Sequence, residues 1–456
     1  MAKKKNLYRC SNCEYESPGY LGKCPMCGQW STFQEVMEEV VGSTKVRRST
    51  TLMPSRLLDV EGQNSSRILS GIEELDRVMG GGIVRDSVTI LTARPGAGKS
   101  TLLLQLSNAL AKQGYKVLYA SGEESESQIR KRGERILPSI EDTLYVLGTT
   151  SFDQVLNGVD ALDIDVLIVD SIQTFVLDEH MPSRAGSPTQ TLECTYKCVE
   201  LAKDPAKPRI VFIVGQMNKD DELKGLRSIE HLVDTVLYIE GEKGEVLRSV
   251  LSTKNRYGST GEMGFFHMEE KGLISINNPS EYFMTMRPDG AVKGSALGVI
   301  KEGTRPILLE VESLMNRTFT PYPSRITESV SKDTLNIMIS ILEDTMGLKL
   351  FDRNVVLKAV GGLKATDPSL NFAIVMSIAS SYYGLPMNKE VVFLGDVALT
   401  GEVRKVPGLE SKAAEADRLG FKEIAISSRN NPLKTKHATV KTFDTIEQAI
   451  RTYLRP

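Results

Sequence analysis

Short apolar runs alternate with longer amphipathic stretches through the middle of the chain. Runs typical of buried strands occur at residues 87–92, 116–121, 165–171, 209–215, 234–240 and 246–253. Residues 99–112 have the length and the pattern of a helix instead. Because strands alternate with helices, the sequence predicts an α/β fold, a doubly wound sheet covered by helices.

The pattern changes twice along the chain, which at 456 residues is long enough for about three domains. Residues 37–66 carry no sustained apolar period and are predicted to be a linker. Its basic group, Lys45, Arg47 and Arg48, suits either phosphate contacts or a solvated tether. A new series of strands begins near residue 290, which predicts an independent C-terminal α/β domain from about residue 281.

The composition of the chain excludes several classes of protein. Hydrophobic residues make up 41% of the chain and charged residues 25%, which indicates a globular protein rather than a disordered one. The 56 basic and 58 acidic side chains nearly cancel, so any binding to a polyanion must come from local clusters. No apolar run reaches the roughly 18 residues of a membrane span, and no secretory segment follows the basic start. We therefore expect a cytoplasmic protein without a membrane partner.

Four of the six cysteines form two CxxC pairs near the start of the chain: Cys10, Cys13, Cys24 and Cys27. Two such turns place four thiolates around a tetrahedral Zn²⁺ ion, so residues 1–36 are predicted to be a zinc knuckle. A redox dithiol would need a single CxxC pair beside a βαβ unit. Cys194 and Cys198 are predicted to be reduced thiols in a helix.

Residues 93–100 match the phosphate loop GxxxxGK[ST] except at the first position, where Ala93 replaces glycine. The loop lies between a predicted strand and a predicted helix, which is the context that ATP binding requires. Backbone amides and the helix N-terminus would surround the phosphates, Lys99 would contact the β and γ oxygens, and Ser100 would bind Mg²⁺. The residues expected to contact the nucleotide are Ala93, Arg94, Pro95, Gly96, Ala97, Gly98, Lys99, Ser100 and Thr101.

Polar residues follow the other predicted strands of this sheet. Glu123 is the candidate general base and Glu124 the second choice, although acidic residues also favour a helix start. Asp170 ends an apolar strand and is the candidate Mg²⁺ carboxylate, together with Ser100. Gln216 ends the next strand and is the candidate sensor of the γ-phosphate.

These features together resemble the RadA (Sms) family of bacterial DNA repair proteins. The resemblance rests on the knuckle, the phosphate loop, residues 121–125 (Ser-Gly-Glu-Glu-Ser), the Asp170 strand and residues 254–258 (Lys-Asn-Arg-Tyr-Gly). The last run is similar to the family's KNRFG signature, with Tyr257 for phenylalanine. The resemblance implies a RecA-like ATPase domain over 67–280 that assembles as a homo-hexameric ring.

In that family, ATP hydrolysis drives movement along single-stranded DNA and branch migration of recombination intermediates, beside a strand-exchange recombinase. The resemblance implies that Lys254 and Arg256 act on a neighbouring subunit's nucleotide; two cations on a surface turn are the alternative. The predicted catalytic set is Lys99, Glu123, Asp170, Gln216, Lys254 and Arg256.

Two segments occupy the positions of DNA-contacting loops. Residues 179–190 are polar and contain two prolines, and the second loop carries Lys219, Lys224 and Arg227. Gln216 stands where the family usually has histidine, which alters the detail of γ-phosphate sensing.

Residues 281–456 resemble the Lon protease domain. Ser369 lies at the position of its nucleophile and Lys412 at that of its base, so an ATP-dependent Ser–Lys protease is one alternative function. Leu370 and Asn371 replace the small residues that follow the Lon serine, which favours a ring platform without peptidase activity. Ser369 is then a helix cap and Lys412 a solvated cation. A nucleotide-gated signalling ring is the other alternative.

Overall fold

The structure is a computed structural model, and it describes residues 7–13, 15–17, 19–36, 56, 67–216, 229–241, 246–285, 292–363 and 366–454. The chain divides into two compact units, residues 1–63 and residues 64–456. The linker predicted over 37–66, including Lys45, Arg47 and Arg48, lies outside the described residues except for Arg56. The domain boundaries at 36/37, 66/67 and 280/281 stay predictions.

The N-terminal unit is built on a small antiparallel sheet in which β1 is the central strand. Among the described residues of this unit, its apolar cluster consists of the buried Cys10, Cys24 and Phe33 with Tyr8 and Cys27 packed against them, a small core because some 30 residues cannot enclose a larger one. The strands are β1 (Leu7–Cys10), β2 (Glu16–Ser17) and β3 (Phe33–Val36).

A nine-stranded sheet forms the first half of the second unit, in the order β12-β11-β10-β9-β4-β8-β7-β5-β6. The strands from β9 to β6 in this order are parallel, and β10, β11 and β12 extend the sheet as an antiparallel meander. Its strands are β4 (Val88–Ala93), β5 (Val117–Ser121), β6 (Leu144–Gly148), β7 (Val166–Asp170), β8 (Ile210–Gln216), β9 (Thr235–Glu240), β10 (Leu247–Asn255), β11 (Met263–Glu269) and β12 (Gly272–Ser275).

Helices cover both faces of this sheet, which confirms the doubly wound α/β prediction. Leu91 faces α2, whereas its neighbour Ile90 packs towards α4 and α5, as the alternation of side chains along a strand requires. Cys194 and Cys198 are buried in α5, and burial raises the pKa of Cys194 to about 12, so this side chain stays a thiol. The helices are α1 (Glu73–Val78), α2 (Lys99–Lys112), α3 (Glu126–Ile136), α4 (Phe152–Leu162) and α5 (Pro188–Ala202).

The second half of this unit is a seven-stranded mixed sheet in the order β15-β16-β14-β13-β17-β20-β21. Helix α8 lies against its centre and is apolar on nearly every side because it is buried. The elements are α6 (Pro279–Tyr282), β13 (Ser295–Glu302), β14 (Arg305–Arg317), β15 (Arg325–Thr327), α7 (Lys332–Met346), β16 (Arg353–Ala359), α8 (Asn371–Tyr383), β17 (Val391–Leu394), β18 (Asp396–Val397), β19 (Val403–Arg404), α9 (Leu409–Arg418), β20 (Glu423–Ser427), β21 (Thr439–Phe443) and α10 (Ile446–Tyr453).

A buried ion pair joins the two halves of this unit. Glu74 on α1 is 3% exposed, and its Oε1 lies 2.8 Å from Nη1 of Arg305 at the start of β14. Its Oε2 accepts the Phe265 amide at 2.9 Å, and the Phe265 ring packs edge to face on Phe283. Among the residues that the structure describes, no helix is both long enough and apolar enough to cross a bilayer.

Candidate functional site

The phosphate loop connects β4 to α2 and is shaped by its glycines. Ala93 is the last residue of β4, where a methyl group is tolerated because the backbone is extended. Gly96 and Gly98 have φ values of +83° and +107°, which strongly favour glycine. A Cβ atom on Gly98 would lie 2.5 Å from Cε of Met268, so the loop also packs closely against β11. Arg94, Pro95 and Gly96 are exposed, which leaves one side of the loop open for a ligand.

Lys99 projects from the first turn of α2, and its Nζ donates to the Ala93 carbonyl at 2.9 Å. Burial lowers the pKa of Lys99, and the negative charges of Asp170 and Glu123 oppose this shift. The ammonium group therefore lies in the field of both predicted carboxylates.

Asp170 ends β7, and a hydroxyl from the adjacent strand holds its carboxylate. Tyr119 on β5 donates to Asp170 Oδ2 at 2.5 Å and also hydrogen-bonds the side chain of Ser100. Burial, followed by the charge of Asp170, raises the pKa of Tyr119 well above its usual value, so the hydroxyl stays a donor. Ser100 and Asp170 are thus linked through one hydroxyl. These hard oxygen ligands fit Mg²⁺, with Ser100 and Asp170 as the residues that would hold it.

The two glutamates that follow β5 point to different partners. Their amides both donate to Ser121 Oγ, at 3.3 Å from Glu123 and 3.1 Å from Glu124, and this fixes the turn. The Glu124 carboxylate then forms an ion pair with Arg132 on α3. Glu123 instead lies near Lys99 and accepts hydrogen bonds at its Oε1, so it is the glutamate aimed at the phosphate loop.

Gln216 is the last residue of β8, and its Nε2 donates to Glu123 Oε1 at 2.6 Å. Ser171, directly after β7, donates to the same oxygen at 2.5 Å. The structure therefore brings together Lys99, Glu123, Asp170 and Gln216, because parallel neighbouring strands end at one edge of a sheet. Tyr119, Ser171 and Arg132 were missed from the sequence. A tyrosine within an otherwise aliphatic strand was the one local signal.

Lys254 and Arg256 lie at the opposite edge of the sheet. Strand β10 is antiparallel to β9, and Lys254 pairs with Val236, which is itself level with Ile90, the third residue of β4. From Ile90 the strand runs roughly 10 Å further to Ala93, and the phosphate loop follows that end. The structure does not bring Lys254 and Arg256 to their own chain's loop.

Both cations bond groups that precede β9. Lys254 Nζ donates to the carbonyls of Glu230 at 2.6 Å and Val233 at 2.8 Å. Arg256 Nη1 lies 3.1 Å from Oδ1 of the buried Asp234, while about half of the arginine side chain is exposed. Burial, with the charge of Arg256 added, lowers the pKa of Lys254.

The four predicted metal ligands converge in the N-terminal unit. The sulfur atoms of Cys10, Cys13, Cys24 and Cys27 all lie within 4.8 Å of one another, with Cys13 and Cys24 3.5 Å apart and Cys10 and Cys27 3.7 Å apart. A tetrahedral Zn²⁺ ion with four thiolates requires sulfurs roughly 3.8 Å apart, so the arrangement fits that ion. Gly28 has a φ of +74° and allows the turn after the second pair.

The predicted Ser–Lys pair is assembled and buried. Ser369 is 0% exposed and Lys412 is 1% exposed, and Lys412 Nζ lies 2.9 Å from Ser369 Oγ. The alternative that Lys412 is a solvated cation is therefore wrong, because α9 turns this side chain into the protein. Ser369 is not a helix cap either, because it lies inside the 3₁₀ turn Pro368–Leu370, whose cap is Asp367. Asp367 Oδ2 lies 2.7 Å from Lys412 Nζ. Burial alone would raise the pKa of Asp367, but the bonds from Lys412 and Ser369 outweigh it and lower that pKa.

The first predicted DNA loop is shorter than expected. Residues 178–180 form a 3₁₀ turn, and α5 already begins at Pro188, because Ser187 caps the helix and proline suits its first position. Arg184 and Gly186 remain in the connecting turn. The second predicted loop, with Lys219, Lys224 and Arg227, lies outside the described residues.

Three family models match separate parts of the chain. A rubredoxin metal binding domain matches residues 8–35, which contain the four cysteines. An AAA domain matches residues 53–197, which contain the phosphate loop and Asp170. The Lon protease (S16) C-terminal proteolytic domain matches residues 350–447, which contain Ser369 and Lys412.

Whole-chain relatives give the family. The DNA repair protein RadA of Bacillus subtilis (strain 168) is 39% identical over 464 residues and covers 100% of both chains. The RadA proteins of Streptococcus pyogenes serotype M3 (strain ATCC BAA-595 / MGAS315) and Listeria monocytogenes serovar 1/2a are 41% and 38% identical, over 93% and 99% of this chain and 93% and 98% of their own. An ATPase with a metal knuckle and a Lon-like domain is the class that these features define. The chain belongs to the DNA repair protein RadA family, which confirms the resemblance found in the sequence.

Proposed function

We propose that this protein is an ATP-driven DNA motor of homologous recombination and repair. It binds single-stranded DNA as a homo-hexameric ring and promotes branch migration of recombination intermediates beside a strand-exchange recombinase. The family, the ATPase domain and the grouping of Lys99, Glu123, Asp170 and Gln216 support this proposal.

Each of these residues has a part in hydrolysis. The loop amides and Lys99 bind the phosphates, and Ser100 and Asp170 hold Mg²⁺, which when bound neutralises phosphate charge. Glu123 accepts a proton from the attacking water, and Gln216 contacts the γ-phosphate. The Glu124–Arg132 ion pair supports Glu123 over Glu124 as the base, because Glu124 already has a charged partner.

One observation supports the assembly of this protein as a ring. Lys254 and Arg256 bond groups at the far edge of the sheet from their own phosphate loop, so they can complete a nucleotide site only on another copy. A head-to-tail contact of this kind closes into a ring when its rotation permits.

The link to DNA follows from chain order. Gln216 bonds the proposed base, and the chain continues from it into residues 217–228, which contain Lys219, Lys224 and Arg227. Backbone phosphates bound by such cations give affinity with little sequence preference. Binding there would change the position of Gln216 and so the hydrogen bond that Gln216 donates to Glu123.

A Ser–Lys protease is disfavoured by the ion pair between Lys412 and Asp367. A lysine that acts as a base must be free to take the serine proton, whereas the Lys412 side chain is already paired with the Asp367 carboxylate. Ser369 is also fully buried, and its Oγ lies 2.8 Å from the Val299 carbonyl, which its hydroxyl can bond. We expect no casein cleavage and no labelling of Ser369 by a fluorophosphonate.

The deciding experiment measures ATPase rate with and without single-stranded DNA, at several salt concentrations, together with oligomer mass. A motor is stimulated by single strands, loses that stimulation as salt rises, and has the mass of a ring. Turnover that ignores DNA would favour the signalling ring. Lys99→Ala should abolish unwinding of branched DNA, and normal unwinding by this variant would identify a structural adaptor instead.

A further inference from the structure

Two hydrogen bonds converge on one oxygen of Glu123, and their donors differ in kind. Ser171 is 0% exposed and donates to Oε1 at 2.5 Å, whereas Gln216 is exposed and donates to the same atom at 2.6 Å. A buried donor has little freedom to move, but an exposed side chain at a strand end can exchange partners. The two bonds therefore restrain the carboxylate to different degrees.

Ser171 is itself held from two sides. Its carbonyl accepts the Thr174 amide at 3.0 Å and the Thr174 hydroxyl at 2.7 Å. Immediately before it, the Asp170 carbonyl accepts the Gly122 amide at 3.0 Å. A Cβ atom on Gly122 would lie 2.1 Å from Thr174 Oγ1, so the segments after β5 and β7 are in close contact. The Ser171 hydroxyl is thus a fixed point against which Glu123 can be oriented.

We propose that Ser171 is the positioning residue for Glu123. It holds Oε1 so that Oε2 faces the water that attacks the γ-phosphate, and this inference rests on the general-base role given to Glu123 above. The water oxygen bonds to the γ-phosphorus, its proton passes to the Glu123 carboxylate, and the bond between the γ-phosphorus and the β–γ bridging oxygen breaks to release ADP and phosphate. Gln216 is then free to leave Glu123 for the γ-phosphate while Ser171 keeps the base in place.

The test compares Ser171→Ala with a matched control. Thr89 is a buried hydroxyl residue on β4 whose Oγ1 has no partner among the described residues, so Thr89→Val removes a hydroxyl without removing a known bond. Ser171→Ala should lower kcat about tenfold, the effect expected when a charged group loses one hydrogen bond. Its KM for ATP, its affinity for a fluorescent ATP analogue and its melting temperature should stay at parental values. Thr89→Val should keep the parental kcat.

A double-mutant cycle separates positioning from a general structural effect. In the Glu123→Gln background, single-turnover rates should be the same with serine or with alanine at position 171, because the carboxylate that Ser171 would position is absent. Ser171→Cys, nearly the same size but a weak donor, should also lower kcat with the fold intact.

Results of three kinds would overturn the proposal. The first is a Ser171→Ala variant with parental kcat. The second is a tenfold loss that persists in the Glu123→Gln background, or one that is matched by weaker nucleotide binding. The third is a Glu123→Gln variant with the parental rate, which refutes the general-base assignment itself and not only the role of Ser171.

Discussion

Lys412 Nζ lies 2.7 Å from Asp367 Oδ2, in a site where the lysine is 1% exposed. The amide of Lys301, at the end of β13, donates to the same carboxylate at 2.9 Å. Asp367 therefore ties α9 to β13 and to the turn that carries Ser369. In this chain Ser369 and Lys412 therefore belong to a buried contact between α9, β13 and the turn that carries Ser369.

Asp367→Asn should destabilise the protein by about 3–5 kcal/mol, because it leaves the Lys412 ammonium buried without its counter-ion. Adding Lys412→Met should restore much of that loss. Chemical unfolding followed by circular dichroism measures both. The matched control is Glu390→Gln, which removes an ion pair to Lys422 that is largely exposed, and it should cost less than about 1 kcal/mol. An Asp367→Asn variant as stable as this control would contradict the assignment.

The same substitution should change how stability depends on pH. The folded pKa of Asp367 is lowered, so its contribution to stability is present above the unfolded value of about 3.9 and is lost as pH falls through the lower folded pKa. The stability difference between the parent and Asp367→Asn should therefore be constant from pH 5 to 7 and should shrink below about pH 4. Unfolding midpoints of the two proteins, measured across that pH range, test this dependence. A stability difference that grows as the pH falls would contradict it.

Gly122→Ala should lower ATPase activity by at least about tenfold, because the new methyl group would meet Thr174 and displace the segments that hold Glu123 and Ser171. The comparison is Gly158→Ala in α4, where the nearest atom would be an ordinary 3.6 Å away. That variant should keep full activity and gain a little stability, since alanine favours a helix. Equal rates for both variants would show that the contact at Gly122 is unimportant.

The sequence predicted the elements whose signals are local. Helix α2 runs from Lys99 to Lys112 as expected, and the strand predicted over 87–92 is shifted by one residue to Val88–Ala93. The edge of the sheet that gathers the nucleotide residues followed from parallel strand order alone. The knuckle followed from cysteine spacing.

The remaining contacts join residues far apart in the chain. Ser171 meets Glu123 across 48 positions, and Tyr119 meets Asp170 across 51, so neither pairing leaves a pattern in a local window. The burial of Lys412 could not be predicted from the sequence for the same reason. The pattern of an amphipathic helix does not show that a lysine on its inner side has an aspartate partner elsewhere in the chain. The shortened loop before α5 was readable in principle from Ser187 and Pro188, a strong helix-start pair.

Removal of the knuckle metal should be visible through a single fluorophore. Trp30 is the only tryptophan in the chain, and Lys23 Nζ lies 5.5 Å from the centre of its ring. Chelation, or Cys24→Ser, should release about one zinc per chain and lower the fluorescence anisotropy of Trp30, because without metal the unit has almost no core. Cys194→Ser, which changes a buried thiol outside the knuckle, is the control and should keep both signals. Full anisotropy in a zinc-free protein would mean that the unit folds without metal.

Mixing two inactive variants tests whether Lys254 and Arg256 act between copies. Lys99→Ala removes the ammonium group that binds the phosphates but keeps Lys254 and Arg256. Lys254→Ala keeps an intact phosphate loop. If the cations complete a neighbour's site, subunits co-expressed in equal amounts should regain roughly a quarter of the parental ATPase activity, since one interface in four then pairs an intact loop with an intact Lys254. Mixing Lys99→Ala with the Lys99→Ala/Lys254→Ala double variant should restore nothing, because no intact loop is present. If the first mixture yields only the sum of its two parents, the cations do not act across the interface. The hydrogen bonds from Lys254 to the Glu230 and Val233 carbonyls would then serve only to fix the start of β9.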